Sequence, residues 1–348
     1  MSIGESTVRR AVMHDVARLA GVSHQTVSRV LNGHPNVRPA TRDRVLEAIR
    51  QLNYRPNALA RGLVTRRSRT IGAISFDTRL FGPASTLLAI ERAARAAGYS
   101  VTISSLADLD AGSVRLAVGA MADQSVDGAI VIAPRESAAR ALLDLHPGLP
   151  VVAVEAGYGG EIPVVSVDQF GGARLATGHL LSLGHRTVWH VAGPDDWLEA
   201  RERVEGWRAA LAEASVAAPP LLRGDWSPES GYAAGLKLAG DTDVTAVFAA
   251  NDQMALGVLH ALHERGVGVP GDVSVVGFDN IPESAFLIPS LTTVHQDFDE
   301  VGRRGLRLLV DIMDGEPTAP RCPDRVPATL VSRRSSAPPD PTRRRRGR

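Results

Sequence analysis

Apolar positions near the N-terminus recur at helical spacing. Val16, Ala17 and Ala20 fall on one face of a short first helix. Gly21 follows, where a helix C-terminus needs a residue that tolerates positive φ. Ser23 supplies an N-cap oxygen for a second helix, with Val27, Val30 and Leu31 as its buried face. His24, Gln25, Ser28, Arg29 and Asn32 point outward, and with Ser23 and Thr26 they form the candidate DNA-contacting set. Gln pairs bidentately with adenine and Arg with guanine in a major groove, so the pair of helices reads as a helix-turn-helix with its second helix as reader. A third helix is predicted over 39–52, with Pro39 near its start and Val45, Leu46, Ile49 and Leu52 in phase. The Arg55-Pro56 step ends it. Residues 57–64, NALARGLV, allow two helical turns, too few to be stable alone.

From residue 70 the texture changes. Strands over 70–76, 99–104, 127–133, 150–155 and 164–168 alternate with helices over 84–97, 112–124 and 136–145. A second series follows, with helices over 170–182, 198–214, 228–239 and 252–265 around strands at 187–193, 245–250 and 272–278. A strand at 291–295, a helix over 298–313 and a strand near 326–332 come last. The near-continuous Val, Ile and Ala runs are those of parallel strands buried on both faces. Two such series predict two doubly wound α/β sheets side by side, behind an all-α head.

Charge is distributed unevenly. Residues 1–70 carry 13 Arg against 4 acidic residues, while the chain as a whole is formally +1. A basic head on an acidic body suits a polyanionic partner for the head alone. Cys322 is the sole cysteine, which excludes an intrachain disulfide and a cysteine metal cluster. No apolar run reaches membrane length, and the N-terminus has no apolar signal core, so a cytoplasmic, nucleoid-associated protein is expected. The GVGVPG match at 266–271 follows a helix and precedes a strand, the reverse of a dinucleotide site. No nucleophile elbow, Walker lysine or metal-ligand spacing occurs, so neither an enzyme nor a cofactor is expected.

Polar residues gather where open α/β sheets bind ligands, beyond the strand ends. Asp168 ends one predicted strand, Asn251 and Asp252 follow another, and Asp279 and Asn280 a third. Arg201 opens a helix and Trp226 sits in a GDWS loop. Carboxylates, amides, a guanidinium fork and an aromatic plate match the hydroxyls and ring face of a sugar. Capping for Asn251 or Asp252, core packing for Trp226 and a solvated charge for Arg201 remain open for each residue singly.

These stretches together resemble the lactose-repressor/galactose-repressor family of transcription regulators, over about residues 12–332 and most closely its lactose-repressor subgroup. DVARLAGVSHQTVSRVLNG, TRDRVLEAIRQLNYRPNALARGL, GDWSPESG, ANDQMALG, DVSVVGFDN and IPSLTTVHQDF carry the resemblance in order. It implies that His24, Gln25 and Arg29 read bases. It implies that 57–64 is a hinge helix, with Asn57 at its start and Leu63 entering the minor groove. It implies an effector cleft of Leu80, Pro83 and Thr86 from a first lobe, with Arg201, Trp226, Asn251, Asp279, Gln296 and Phe298 completing it; Asp168 joins the candidate effector set from its strand end. The expected organisation is a head at 1–64, a core at 65–332 and a disordered Arg/Pro-rich tail at 333–348. The first lobe would span about 70–166 and 297–325, the second about 167–296 and 326–332. Departures exist. Val12 stands where the family has a Ser or Thr N-cap, and SSLADLDAG at 104–112 lacks the arginine that the lactose-binding member uses there. The expected function is a homodimeric repressor on palindromic operator DNA, controlled by a galactoside or another mono- or disaccharide inducer. A corepressor response to a nucleobase or other metabolite, and a sugar-binding transport protein, are the alternatives.

Overall fold

The computed structural model describes residues 11–31, 33–54, 67–76, 79–106, 110–143, 148–157, 162–316 and 323–340. Asn32, the 57–64 segment with Asn57 and Leu63, and the last eight residues lie outside them. The chain divides into two compact units, Met1–Ser68 and Arg69–Arg348.

Among the described residues the head has three helices: α1 (Met13–Ala20), α2 (His24–Leu31) and α3 (Pro39–Gln51). Gly21 ends α1 in the left-handed region at φ 64°. The Val22 N–H then reaches back to the Ala17 carbonyl at 3.0 Å, closing the turn as a C-terminal glycine permits. Val12 has no oxygen to cap α1, so only half of a capping box forms, its own N–H donating to Asp15 Oδ2 at 3.0 Å. Val16, Val27 and Val45 meet in the centre, with Ala17, Ala20, Val30, Ala48 and Tyr54 around them. Leu46, in phase with the buried residues of α3, nevertheless stays partly in solvent, and Tyr54 closes the core from beyond the helix end.

The core has two six-stranded sheets. The first has the order β11-β5-β4-β3-β1-β2, from β1 (Thr70–Phe76), β2 (Ser100–Leu106), β3 (Gly128–Ile132), β4 (Val151–Val154), β5 (Val164–Val167) and β11 (Asp324–Val326). The second has the order β12-β10-β9-β8-β6-β7, from β6 (Trp189–Ala192), β7 (Leu222–Arg223), β8 (Ala246–Ala249), β9 (Ser274–Asp279), β10 (Thr292–His295) and β12 (Thr329–Val331). Every strand pair is parallel except β10 with β12. Among the described residues five strands, β3, β4, β5, β8 and β9, are buried at every residue, as parallel strands covered by helices on both faces must be.

The helices of the first lobe are α4 (Phe81–Ala96), α5 (Ala111–Asp123), α6 (Glu136–Leu143) and α11 (Phe298–Met313). Those of the second are α7 (Gln169–Ser182), α8 (Leu198–Glu213), α9 (Pro228–Ala239) and α10 (Asp252–Glu264). The chain crosses between the sheets after β5, after β10 and between β11 and β12. The single strand expected near 326–332 is thus two strands in different sheets. A three-residue strand leaves too short a pattern to separate from its neighbour. Helix α4 starts three residues earlier than its apolar spacing implies, at Phe81.

The expectation of a disordered tail is overturned for residues 333–340. Ser335 is fully buried. Its hydroxyl donates to the Val275 carbonyl at 2.6 Å and accepts the Thr292 N–H at 2.8 Å. The Val275 N–H donates to the Ser335 carbonyl at 2.8 Å, and His185 and Ser274 bond Ala337. Backbone and hydroxyl bonds hold this strap, so no hydrophobic period announces it. No described helix is long and apolar enough to cross a membrane.

Helices α9 and α10 touch backbone to backbone at Gly231 and Gly257. A Cβ on Gly257 would strike the Pro228 carbonyl oxygen and the Tyr232 nitrogen. Gly257→Ala should therefore destabilise the core by about 1–3 kcal/mol or more, measured by urea unfolding. An unchanged midpoint would mean that the helices separate without cost.

Candidate functional site

In the head, α2 presents His24, Gln25 and Arg29 to solvent while Val27 and Val30 face the core. Ser23 is a cap, its Oγ accepting the Thr26 N–H at 3.2 Å and lying 2.9 Å from the Thr26 hydroxyl. The helix is anchored by one face and exposes the polar side chains of the other.

In the core, a cavity of about 390 Å³ is lined by Arg79–Pro83 at the start of α4 and, from the second lobe, by Trp197, Glu199, Arg203, Trp226, Asn251, Asp279 and Gln296 among others. The N-terminus of α4 therefore lies at the cavity wall, and the positive end of a helix dipole favours ligand oxygens. Of the residues singled out in the sequence, Leu80, Pro83, Trp226, Asn251, Asp279 and Gln296 line this cavity together.

The others do not line it. Thr86 is buried within α4. Asp168 caps α7, its Oδ1 accepting the Gly171 N–H at 2.8 Å. Phe298 sits one layer behind, edge-on to Phe81 at 6.0 Å. Arg201 leaves the cavity. Its Nε donates to the Asp195 carbonyl at 2.6 Å and its guanidinium pairs with Glu136 of α6.

The guanidinium of the cleft is Arg203, whose side chain is 2% exposed. Its Nε donates to Gln169 Oε1 at 2.9 Å. The Gln169 amide donates to Gln296 Oε1 at 2.8 Å, and the Gln296 amide to Asp279 Oδ1 at 2.7 Å. Asp279 Oδ1 lies 3.7 Å from Arg203 Nη1, which closes a ring. Arg203 also lies over the Phe278 ring at 3.9 Å and reaches the Ala250 carbonyl. The sequence held a signal for it. Arg203 is in helical phase with buried Ala200, Val204 and Trp207, and Arg201 is not. Gln169, Glu199 and Trp197 carried no comparable mark.

Trp226 adopts φ 75°, and Asn251 Nδ2 holds its carbonyl at 3.1 Å. Asn251 Oδ1 meanwhile caps α10 through the Met254 N–H at 2.9 Å, so Asn251 both caps a helix and lines the cavity. Trp197 meets Trp226 edge to face, centroids 5.5 Å apart at 75°. The buried Trp226 indole N–H has no protein partner among the described residues. Burial pushes the Asp279 carboxyl up to about 7, against the pull of Arg203. Burial pushes Glu199 to about 7 as well, again against Arg203.

A helix-turn-helix head with a two-lobed, periplasmic-binding-protein-like core and a cleft between the lobes is the architecture of a ligand-responsive DNA-binding regulator. Residues 12–57 match the model of bacterial regulatory proteins of the lacI family, and residues 177–336 that of the periplasmic binding protein-like domain. The chain is 33% identical over 335 residues to the lactose operon repressor of Escherichia coli K12, covering 96% of this chain and 92% of that protein. It is 38% identical over 330 residues to the transcriptional regulator CelR of Thermobifida fusca, covering 90% and 94%. The lac repressor dimer bound to operator and the anti-inducer ONPF superposes with a TM-score of 0.83 at 32% identity, over 94% of this chain and 100% of that one. A CelR–cellobiose complex gives 0.68 at 35%, with the same coverage. The chain belongs to the LacI family: it is a DNA-binding transcriptional repressor that answers to a sugar or another small metabolite. These relatives are regulators and not enzymes.

A pH dependence follows from Asp279. Its carboxyl, ordinarily near 3.8, keeps its proton up to about 7 in the fold. Between those values the unfolded chain binds fewer protons than the native one, so stability falls as pH rises. Asp279→Asn removes this loss. Its unfolding free energy relative to the parent should climb between about pH 4 and 7 and level off above, followed by urea titration. A difference independent of pH would place Asp279 in the ordinary carboxylate range.

Proposed function

We propose that the cleft takes an uncharged sugar of one or two rings and that this sugar changes the affinity of a dimer for a palindromic operator. One observation carries the reading: an aromatic corner, Trp197 against Trp226, stands beside the buried Arg203–Gln169–Gln296–Asp279 ring. A pyranose offers an apolar C–H face for an indole and hydroxyls that both donate and accept. A nucleobase, flat on both faces, would call for parallel plates, and the two indoles stand near perpendicular. The wall mixes Arg79 and Arg203 with Glu199, Asp225 and Asp279, which suits a neutral ligand. The cavity of about 390 Å³ lies in the range of small-molecule sites. The cellobiose complex of CelR and the operator-bound lac repressor dimer support the same reading.

His24, Gln25 and Arg29 would read bases, with Ser28 and Asn32 beside them and Asn57 and Leu63 following in the hinge. Exposed Leu88, Ile103 and Leu116 on the first lobe, with Phe286 and Ile288 on the second, offer apolar surface for a second copy. The family's sugar-responsive regulators act in the cytoplasm, and this one would too.

Calorimetry with a panel of galactosides, glucosides and nucleobases, read beside operator release, tests the effector. A sugar should bind with Kd in the micromolar range and alter operator affinity. Arg203→Ala should abolish that response, and Arg201→Ala should leave it measurable. Binding of a purine and of no sugar would overturn the reading. For the head, Gln25→Ala or Arg29→Ala should cost about 1–3 kcal/mol on the best operator and relax preference at particular base pairs. Equal weakening on random DNA in an electrophoretic titration would reduce them to phosphate contacts.

A further inference from the structure

The strap at 333–337 does more than cover the second lobe. Asp279 and Asn280 adopt φ 103° and 53° in succession. Two adjacent non-glycine residues with positive φ persist only where the surroundings hold them. The grip comes from two sides. From beneath, Asp252 Oδ2 accepts the Ile281 N–H at 2.9 Å and Oδ1 accepts the Thr293 hydroxyl at 2.6 Å. From the strap, Arg333 Nη2 donates to Asn280 Oδ1 at 2.7 Å. Its Nη1 donates to the Leu291 carbonyl at 2.7 Å and to Ser284 Oγ at 3.1 Å. Ser284 in turn donates to the Ile281 carbonyl at 2.7 Å. The fork thus ties both arms of the loop 280–291 to one guanidinium, and Asp279, which lines the cleft, is the residue just before it.

We propose that Arg333 is a positioning residue of the effector site, holding the Asp279–Asn280 corner in the left-handed conformation that presents the Asp279 carboxylate to the cleft. The proposal rests on the reading of the cleft as the effector site. A lysine would supply charge without the fork that reaches Asn280, Ser284 and Leu291 together. Ser335 is the natural control. It anchors the same strap through Val275 and Thr292, and none of its hydrogen bonds reaches the corner.

The test uses the full chain and three variants, Arg333→Gln, Arg333→Lys and Ser335→Ala. Without ligand, amide exchange at Asn280 and Ile281 should accelerate about tenfold or more in Arg333→Gln, the factor lost with a charge-assisted hydrogen bond. It should rise less in Arg333→Lys. In Ser335→Ala the acceleration should fall at Thr292 and spare 280–281. With cellobiose and lactose as probes, Arg333→Gln should raise the concentration for half-maximal operator release about tenfold. Its operator affinity without sugar should stay within about twofold of the parent. Unchanged exchange at 280–281 in Arg333→Gln, or equal acceleration there in Ser335→Ala, would overturn the proposal. So would accelerated exchange with an unchanged release concentration. A parent protein that ignores both sugars would count against the sugar reading, and the exchange arm would still decide what Arg333 holds.

Discussion

A guanidinium buried to 2% exposure cannot be left unpaired, because removing a charge from water costs several kcal/mol unless it is fully bonded. That constraint on Arg203 organises the cleft. Its partners come from α7, from Ala250 just beyond β8 and from β9, and Gln296 closes the ring from the segment between β10 and α11. Each amide in the ring has one orientation that satisfies its neighbours, so the polar wall is set before any ligand arrives. Such a wall keeps its donors and acceptors at fixed spacing, which is the condition for telling one polar ligand from another. It also explains why Asp279 keeps a raised pKa beside an arginine. The carboxylate is one of several groups sharing that charge, and burial outweighs its share.

The lobes are joined differently. Arg135 pairs with Asp196, Arg201 with Glu136, and Arg325 makes a fork to Glu202 at 2.6 and 2.8 Å. The Leu198 N–H also donates to the Pro134 carbonyl at 2.9 Å. The first two pairs are a third to a half exposed, and pairs of that exposure contribute little each. Arg325 is better held, from a strand one step before the last crossing. Rigid polar walls joined through weak pairs and three chain crossings make a body whose lobes can shift while its binding groups stay put. An effector needs only a few kcal/mol of preference between two such arrangements to change their populations.

The cleft residues were legible to different degrees, for physical reasons. Trp226, Asn251 and Asp279 stand at strand ends or in a marked loop, where open sheets bind ligands. Arg201 and Arg203 are two residues apart, and composition treats them alike. Only the helical phase with Trp207 separates the buried one from the one that reaches across to Glu136. Gln169 has no signal at all, because its task is to bond two side chains, one of them 127 residues away. The strap at 333–340 reads as a proline- and arginine-rich tail for the same reason. Its order comes from Ser335 and Arg333 bonding groups that another part of the chain leaves exposed.

The sequence alone determined the three helices of the head, the exposed reading face of α2 and the alternation that builds two parallel sheets. These follow from local periods and caps, which depend on neighbours within a few residues. Tertiary structure decided which arginine enters the cleft, how the strand expected near 326–332 is divided between two sheets, and that a polar strap braces the corner carrying Asp279. Those outcomes depend on partners far apart in the chain, and a buried charge finds its partners only when the fold has brought them together.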